Sequence, residues 1–238
     1  MFIYRKRSSL TLSIIIILII AILSFNSICP LQVFATPSEI ESDKIILIDP
    51  GHGGMDSGAV SDNGTLEKNI NLSISLRLRD KLKSFGYIVV LTREEDKGLY
   101  TKNTDVSTMK FEDLNNRCKM KRDSNCDLFI SIHQNYFIKK YCHGSQVWYS
   151  KNENSKILAH ILQENLKKDL GNNNRIEKDA EGQYKILRCY TNLPSVIVEC
   201  GFLTNTEEEI KLKDESYQDR IVDSLINSIN EYFKNIKG

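Results

Sequence analysis

The sequence lacks the short motifs that usually mark a metal or nucleotide site. None of its 4 histidines begins the helical H-E-x-x-H pattern of many zinc proteases, and no two cysteines form a C-x-x-C pair. The glycine-rich stretch 51–58 is not followed by G-K-[ST] and does not fit G-x-G-x-x-G, so both phosphate-loop patterns are absent. Any metal site must therefore be assembled by tertiary structure.

An excess of charge of one sign is also missing. The chain carries 32 basic and 31 acidic residues, and Arg5, Lys6 and Arg7 stand in the first 35 residues without any acid. The remainder is slightly acidic, which gives no electrostatic reason to expect a nucleic-acid partner. A length of 238 residues with 41% hydrophobic residues suits one globular domain with a terminal extension.

Cysteine is present but in an odd arrangement. Of 6 cysteines, one, Cys29, lies in the first apolar segment, which leaves an odd five beyond it. This count predicts buried thiols that behave as small hydrophobic residues, and it argues against a disulfide framework.

The amino-terminal segment, residues 1–35, has the pattern of an export signal or an anchor. The basic trio precedes an apolar run from Leu10 to Leu23. Val33-Phe34-Ala35 resembles a cleavage site, but about 20 residues at 1.5 Å each would also cross a bilayer of roughly 30 Å. Both alternatives stay open. Either one predicts an extracytoplasmic domain that meets the membrane only through this segment.

The domain organisation then follows from composition. Residues 36–43 are polar and contain a proline, which predicts a linker, and residues 44–238 form the predicted catalytic domain. Short apolar runs typical of strands buried on both faces occur at 44–49, 87–91, 127–132 and 195–198, with weaker candidates at 146–149 and 184–189. Helical spacing is clear in 154–170 and 221–236. The pattern predicts a single α/β domain with a twisted, mostly parallel sheet flanked by helices on both faces.

One segment, residues 70–78, fits two patterns. Its apolar residues alternate with polar ones as in a half-exposed strand. However, Leu66, Ile70, Ile74, Leu78 and Leu82 lie four apart, and good helix formers follow. We predict a helix.

Four side chains suited to metal-dependent hydrolysis lie near strand ends. His52, His133 and Glu199 follow or end the runs 44–49, 127–132 and 195–198, and Glu67 falls in the first turn of the next helix. Because ligands in α/β folds collect at the carboxyl ends of strands, we expect these groups to meet there. Two imidazoles and two carboxylates are the set needed for a catalytic zinc and a general base.

Each residue also has a structural interpretation. A lone histidine is often only a hydrogen-bonding group, and Glu67 could simply be an acid favoured at a helix start. Glu199 is more informative, because an acid after an apolar strand must be paired, metal-bound or tuned for proton transfer. Arg93, just after the run 87–91, could bind a substrate carboxylate or form a structural salt bridge.

Read together, five ordered motifs resemble the zinc-dependent N-acetylmuramoyl-L-alanine amidases of the Amidase_3 type. The motifs are I-D-P-G-H-G-G-M-D-S-G-A (48–59), E-K-x-x-N-L (67–72), T-R (92–93), L-F-I-S-I-H-x-N (128–135) and P-S-V-I-V-E-C-G-F-L-T-N (194–205). The resemblance covers about residues 44–233. It implies a six-stranded domain, one Zn²⁺ per chain and a peptidoglycan substrate.

The resemblance also assigns roles to single residues. It implies that His52, Glu67 and His133 are the zinc ligands and that Glu199 is the catalytic glutamate. Arg93, in the third motif, and Asn135, in the fourth, are the predicted substrate-binding residues. On these assignments Glu199 takes a proton from the attacking water and passes it to the leaving amine.

The chain departs from the family pattern in ways that leave the four residues untouched. Lys121-Arg122 replaces a common Ala-Asn pair, and Thr206 follows Asn205 where proline is usual. Wall-binding repeats and an inserted autoinhibitory helix are not seen.

The short chain most resembles the spore-cortex amidases of endospore-forming bacteria, which implies muramic-lactam formation in the cortex and a location between the membranes of the developing spore. The missing targeting repeats suggest an accessory protein for activation or localisation. The alternatives are another zinc peptidase of the cell wall and an inactive wall-binding scaffold.

Overall fold

A computed structural model of the chain describes residues 43–101, 105–171 and 174–236, all within one unit, Glu39–Gly238. The predictions for residues 1–35 and 36–43 fall, apart from Asp43, outside these residues. The strands are β1 (Ile45–Pro50), β2 (Ile88–Leu91), β3 (Leu128–Asn135), β4 (Gln146–Tyr149), β5 (Lys178–Asp179) and β6 (Ser195–Phe202). The helices are α1 (Glu67–Ser84), α2 (Val106–Asp123), α3 (Glu153–Leu170), α4 (Lys185–Arg188), α5 (Thr206–Lys213) and α6 (Glu215–Asn235).

The strands form one six-stranded sheet in the order β2-β1-β3-β6-β4-β5. The four strands β2, β1, β3 and β6 run parallel to one another, whereas β4 pairs antiparallel with β6 and parallel with β5. The central strands are almost wholly buried because both their faces are covered. This confirms the predicted α/β fold with a mostly parallel sheet and helices on both faces.

The two faces of the sheet carry cores of different size. The broad face packs against α1, α3, α5 and α6 in a large apolar cluster that includes Ile48, Ile130 and Val198. The narrow face is covered by α2 and α4 and has a small cluster that includes Phe129 and Ile197. Alternation along the strands assigns residues to the two faces, so His133 and Glu199 fall on the narrow face.

Residues 70–78 are helical, as predicted, and lie within α1. Ile70, Ile74, Leu78 and Leu82 are all buried against the broad face. The four-residue spacing therefore decided the structure, and tertiary burial of that stripe outweighed the alternating pattern.

The weak strand candidate at residues 184–189 is wrong. Its centre forms the short helix α4, in which the amides of Leu187 and Arg188 donate to the carbonyl of Tyr184. The adjacent apolar pair Ile186 and Leu187 both reach the narrow-face core, which one turn of helix allows and a strand does not. The sixth strand is the two-residue β5, which has no hydrophobic signal in the sequence.

The prediction of free thiols fails for two cysteines. Cys118 of α2 and Cys189, just after α4, form a disulfide with their Cα atoms 6.0 Å apart. Cys126, Cys142 and Cys200 are free. Because the partners are separated by 71 residues, their pairing depends on tertiary structure and could not be read from local spacing.

Across residues 43–101, 105–171 and 174–236, no helix has the length and apolar character needed to cross a membrane.

Candidate active site

The candidate site lies where β1, β3 and β6 end. His52, Glu67 and His133 come together there, with one possible ligand atom from each residue and all three atoms within 4.8 Å of one another. Oε1 of Glu67 lies 3.2 Å from Nε2 of His52 and 3.0 Å from Nδ1 of His133. The fold thus unites residues that the sequence separates by up to 81 positions.

Glycines allow the loop after β1 to pass close to these side chains. A Cβ at Gly51 would lie 2.3 Å from ring atoms of His133, and one at Gly58 would lie 2.5 Å from Oε2 of Glu67. His52 itself has a φ of 62°, a left-handed conformation that few non-glycine residues adopt. The strained turn aims the His52 ring at Glu67, and the glycines around it leave room for the side chains of the site.

Glu67 is held by several donors at the start of α1. Its Oε2 accepts from the amide of Ala59 at 2.8 Å, and its Oε1 accepts from the amide of Gln134 at 3.0 Å and from Nδ2 of Asn71 at 3.2 Å. Burial alone would raise the pKa of Glu67, but His133 and His52 lower it far below the usual range. The carboxylate is therefore fixed in place and charged.

Asp56 and Lys110 extend the site outward from His52. Oδ2 of Asp56 lies 2.7 Å from Nδ1 of His52, and its Oδ1 lies 2.7 Å from Nζ of Lys110. Burial would lower the pKa of His52, but Asp56 and Glu67 raise it to about 9. Sequence reasoning gave Asp56 no role, although an acid four residues after a candidate ligand is a readable signal. Lys110 carried no signal.

The three central side chains fit a zinc ion. Two imidazoles and one carboxylate are a common catalytic zinc set that leaves a coordination position open. A carboxylate on the remaining nitrogen of a ligand histidine, as Asp56 provides for His52, is a usual outer contact of such sites. The negative field that holds a proton on His52 would also favour a divalent cation.

Glu199 stands beside this cluster with an unused oxygen. The parallel pairing of β3 and β6 sets Glu199 opposite His133, and neighbouring strands lie about 4.8 Å apart. Oε2 of Glu199 is buried and has no hydrogen-bond partner among the described residues. Burial raises its pKa to about 7, with Glu67 adding to this rise and with His133 and His52 opposing it. A carboxylate in this state can take up and release a proton near neutral pH.

A buried ion pair between Arg117 and Asp49 lies next to the site. Nη1 of Arg117, on α2, lies 2.5 Å from Oδ1 of Asp49, and its Nη2 donates to the carbonyl of His52 at 2.6 Å. Burial would raise the pKa of Asp49, but Arg117, Thr92 and Ser131 lower it to about 2. Arg117 thus ties α2 to the backbone of His52.

Arg93 is buried beneath the loops rather than exposed at the site. It donates to the carbonyls of Pro50, Gly51, Lys68 and Glu95 at 2.9–3.1 Å. These contacts occupy the guanidinium with backbone groups, and no ion pair of Arg93 occurs among the described residues. The geometry supports a structural role in joining the loop after β1 to α1.

Asn135, the other candidate for substrate binding, ends β3 two residues after His133. It is partly exposed, and its carbonyl accepts from the amide of Leu203 at 2.9 Å. No hydrogen bond of its side-chain amide occurs within the described part of the chain, so that amide remains available.

A second group of possible ligands lies outside the site. His160 and Glu164 on α3, together with Glu177, also bring ligand atoms within 4.8 Å of one another. His160 and Glu164 are exposed, and Glu164 forms an ion pair with Lys167. This group must be controlled for in any measurement of bound metal.

Comparison with known proteins identifies the family to which this site belongs. The Amidase_3 family model, described as N-acetylmuramoyl-L-alanine amidase, matches residues 46–231. The chain is 38% identical over 194 residues to a germination-specific N-acetylmuramoyl-L-alanine amidase of Bacillus subtilis, covering 81% of each protein. It is 35% identical over 192 residues to the amidase LytC of the same species, covering 79% of this chain and 35% of LytC.

Solved structures agree with this result. The fold matches the CwlD amidase of Clostridioides difficile, whose structure was solved in complex with the GerS lipoprotein, with a TM-score of 0.78 and 40% identity over 80% of this chain and 98% of that one. It also matches the catalytic domain of CwlV from Bacillus (Paenibacillus) polymyxa, with a TM-score of 0.69 and 30% identity over 80% and 98% of the two chains.

Proposed function

The chain belongs to the Amidase_3 family and is an N-acetylmuramoyl-L-alanine amidase of peptidoglycan, and we propose that it works with one zinc ion held by His52, Glu67 and His133. Glu199 is the general base. The observation that carries this proposal is the buried, unpartnered Oε2 of Glu199 beside three converging ligand side chains. The scissile bond is the amide between the lactyl group of N-acetylmuramic acid and L-alanine.

The residues divide the chemical work between them. A zinc ion bound here supplies a water of lowered pKa and an electrophile for the amide carbonyl. Glu199 accepts a proton as the water attacks and later delivers it to the nitrogen of L-alanine, and its buried, unpartnered Oε2 leaves an oxygen free for this transfer. Asp56 orients the ring of His52. The free amide of Asn135 contacts the substrate next to His133, and Arg93 acts by holding the loop after β1.

The biological setting is part of the proposal. A relative named for germination and a likeness to CwlD support a role in spore-cortex maturation, through muramic-lactam formation. The enzyme then acts outside the cytoplasm, between the membranes of the developing spore. Because CwlD was solved with a lipoprotein, we include an accessory protein as a partner. Residues 1–35 remain the predicted signal or anchor.

The experiment that tests the activity is mass spectrometry of purified peptidoglycan digested by the zinc-loaded protein. We expect free stem peptides that begin with L-alanine. Glu199→Gln should lower the rate by about 10² to 10⁴ because it removes the base, while the bound zinc stays the same. Cleavage within the peptide would indicate a zinc peptidase instead. Binding to the wall without release would indicate a scaffold, and near-normal turnover by Glu199→Gln would overturn the assignment of the base.

Metal content tests the ligands separately. We expect His133→Ala to lose its zinc and its activity, whereas His160→Ala, the matched histidine in the exposed second group, should keep one zinc per chain and full activity. Retention of zinc by His133→Ala together with its loss in His160→Ala would place the metal elsewhere. Chemical analysis of spores for muramic lactam, with and without an intact gene, tests the cortex role.

A further inference from the structure

A loop beside the active site exposes an unusual concentration of apolar side chains. We call residues 136–141, which follow β3, the aromatic loop. Tyr136, Phe137, Ile138 and Tyr141 are 57%, 46%, 83% and 71% exposed. Single exposed apolar residues are normal, but four within six residues are a local concentration of the kind that marks interaction sites.

The aromatic loop is anchored to the same edge of the sheet as the catalytic residues. The amide of Phe137 donates to Oγ1 of Thr204 at 3.3 Å, and Thr204 follows β6, the strand that carries Glu199. Lys140 forms an ion pair with Asp62, which lies in the loop that carries His52. The aromatic loop therefore directly follows β3 and is attached to the segments that follow β1 and β6.

Its far end is held as well. Within the turn, the amide of Cys142 donates to the carbonyl of Lys139 at 3.0 Å. Nδ2 of Asn205 donates to the carbonyl of Cys142 at 3.3 Å. With contacts at both ends, the loop presents its side chains on a backbone that other segments already position, which lowers the entropic cost of binding.

The chemistry of the loop fits the polymer on which the enzyme acts, and this step rests on the proposed function. Peptidoglycan is a chain of sugars, so the rings next to the hydrolysed bond must pass over the rim of the site. The C–H face of a sugar ring packs well on the electron-rich face of an aromatic ring. Lys139 adds positive charge, residues 136–141 contain no acid, and stem peptides carry carboxylates.

We propose that the aromatic loop binds the glycan strand of peptidoglycan beside the hydrolysed bond. It engages the sugars that flank the cleaved muramic acid and so makes the enzyme prefer a polymer to a single muropeptide. Tyr136, Phe137 and Tyr141 provide the stacking surfaces, Ile138 provides apolar contact, and Lys139 contacts a stem-peptide carboxylate.

The test compares two substrates of different length. Soluble uncross-linked glycan strands that carry stem peptides and a single N-acetylmuramoyl tripeptide are digested by full-length protein, and the ratio of the two kcat/KM values is measured. We expect Tyr136→Ser with Tyr141→Ser, and separately Ile138→Ser, to lower this ratio, by about tenfold for the double variant. Ile210→Ser, an equally apolar residue that is 64% exposed on α5, should leave the ratio unchanged.

A binding measurement keeps the proposal separate from catalysis. In a Glu199→Gln background, co-sedimentation with purified sacculi should weaken on loop substitution. If the loop variants cleave both substrates with an unchanged ratio, the inference is wrong and the proposed function stands. If they lose binding to anionic phosphatidylglycerol vesicles, or to an accessory protein, but not to sacculi, the loop serves that partner instead. If the parent protein cleaves neither substrate, the proposed function fails, and the inference fails with it.

Discussion

The two faces of the sheet are covered by different kinds of side chain. On the broad face, α1, α3, α5 and α6 enclose a continuous hydrocarbon core. On the narrow face, a few apolar residues share the interior with the Asp49–Arg117 ion pair, the buried Lys121 and a disulfide. The side chains of His133 and Glu199 belong to the narrow face.

The difference separates stability from chemistry. Apolar burial stabilises by about 25 cal/mol per Å² and does not depend on direction. Buried charges add little net stability but require partners at defined positions. The broad face therefore supplies most of the folding free energy. The narrow face instead contains buried polar and charged groups that hold the residues of the site in position.

Removing the positive charge of Arg117, which supports the site, should have the largest effect. Arg117→Met leaves Asp49 buried and unpaired, which should cost about 3–5 kcal/mol in the free energy of unfolding. Because Arg117 also holds the carbonyl of His52, kcat/KM should fall even where the variant is fully folded. Urea unfolding and activity at low temperature check the two effects. A loss below about 1 kcal/mol would show that the pair is not a structural support.

A matched change on the broad face should cost stability alone. Leu162→Ala opens a cavity where α3 packs on the sheet, and the free energy of unfolding should fall by about 2–5 kcal/mol. At a temperature where it is folded, this variant should retain the kcat/KM of the parent protein. Activity falling in proportion to stability would mean that the two faces are not separable.

Lys121 offers a test of the narrow face through pH. Burial lowers its pKa from 10.5 to about 8, and its Nζ donates to the carbonyls of Ile186 and Cys189. Between pH 8 and 10.5 the unfolded chain binds more protons at this group than the native chain, so its contribution to stability rises with pH in that window. Compared with the parent, Lys121→Met should lack this rise, as measured by urea unfolding at several pH values. Parallel curves for the two proteins would contradict the prediction.

The smallest expected effect concerns Lys110, whose contact with the site, among the residues that the structure describes, is its ion pair with Asp56. Lys110→Ala should weaken zinc binding by about tenfold or less, because outer contacts of metal ligands typically contribute 10- to 100-fold and this one is a step further away. Lys110→Arg should restore it. Competition with a chelator measures the affinity, and an unchanged value for Lys110→Ala would remove Lys110 from the site.

Much of this arrangement could be read from the sequence because it depends on local pattern. Buried strands show as apolar runs, and side chains just after such runs collect at one edge, so the convergence of His52, His133 and Glu199 was predictable. The contacts of Arg117 and Lys110 were not, because they join segments distant in the chain. β5 is two residues long and polar, and α4 lies in a run that also suits a strand. The conformation of both segments therefore depends on tertiary contacts with the rest of the fold.

The pairing of β3 with β6 has one more consequence, which concerns changes in chain length. Side chains alternate between the faces of a strand, so inserting or deleting a single residue between Ser195 and Glu199 would turn the acid toward the hydrocarbon core and bring an apolar neighbour to the site. The effect of a substitution in β6 varies with the size and polarity of the new side chain. A change of one residue in length instead reverses the face of every side chain that follows it. The number of residues in β6 before Glu199 is therefore as much a part of the active site as the acid itself.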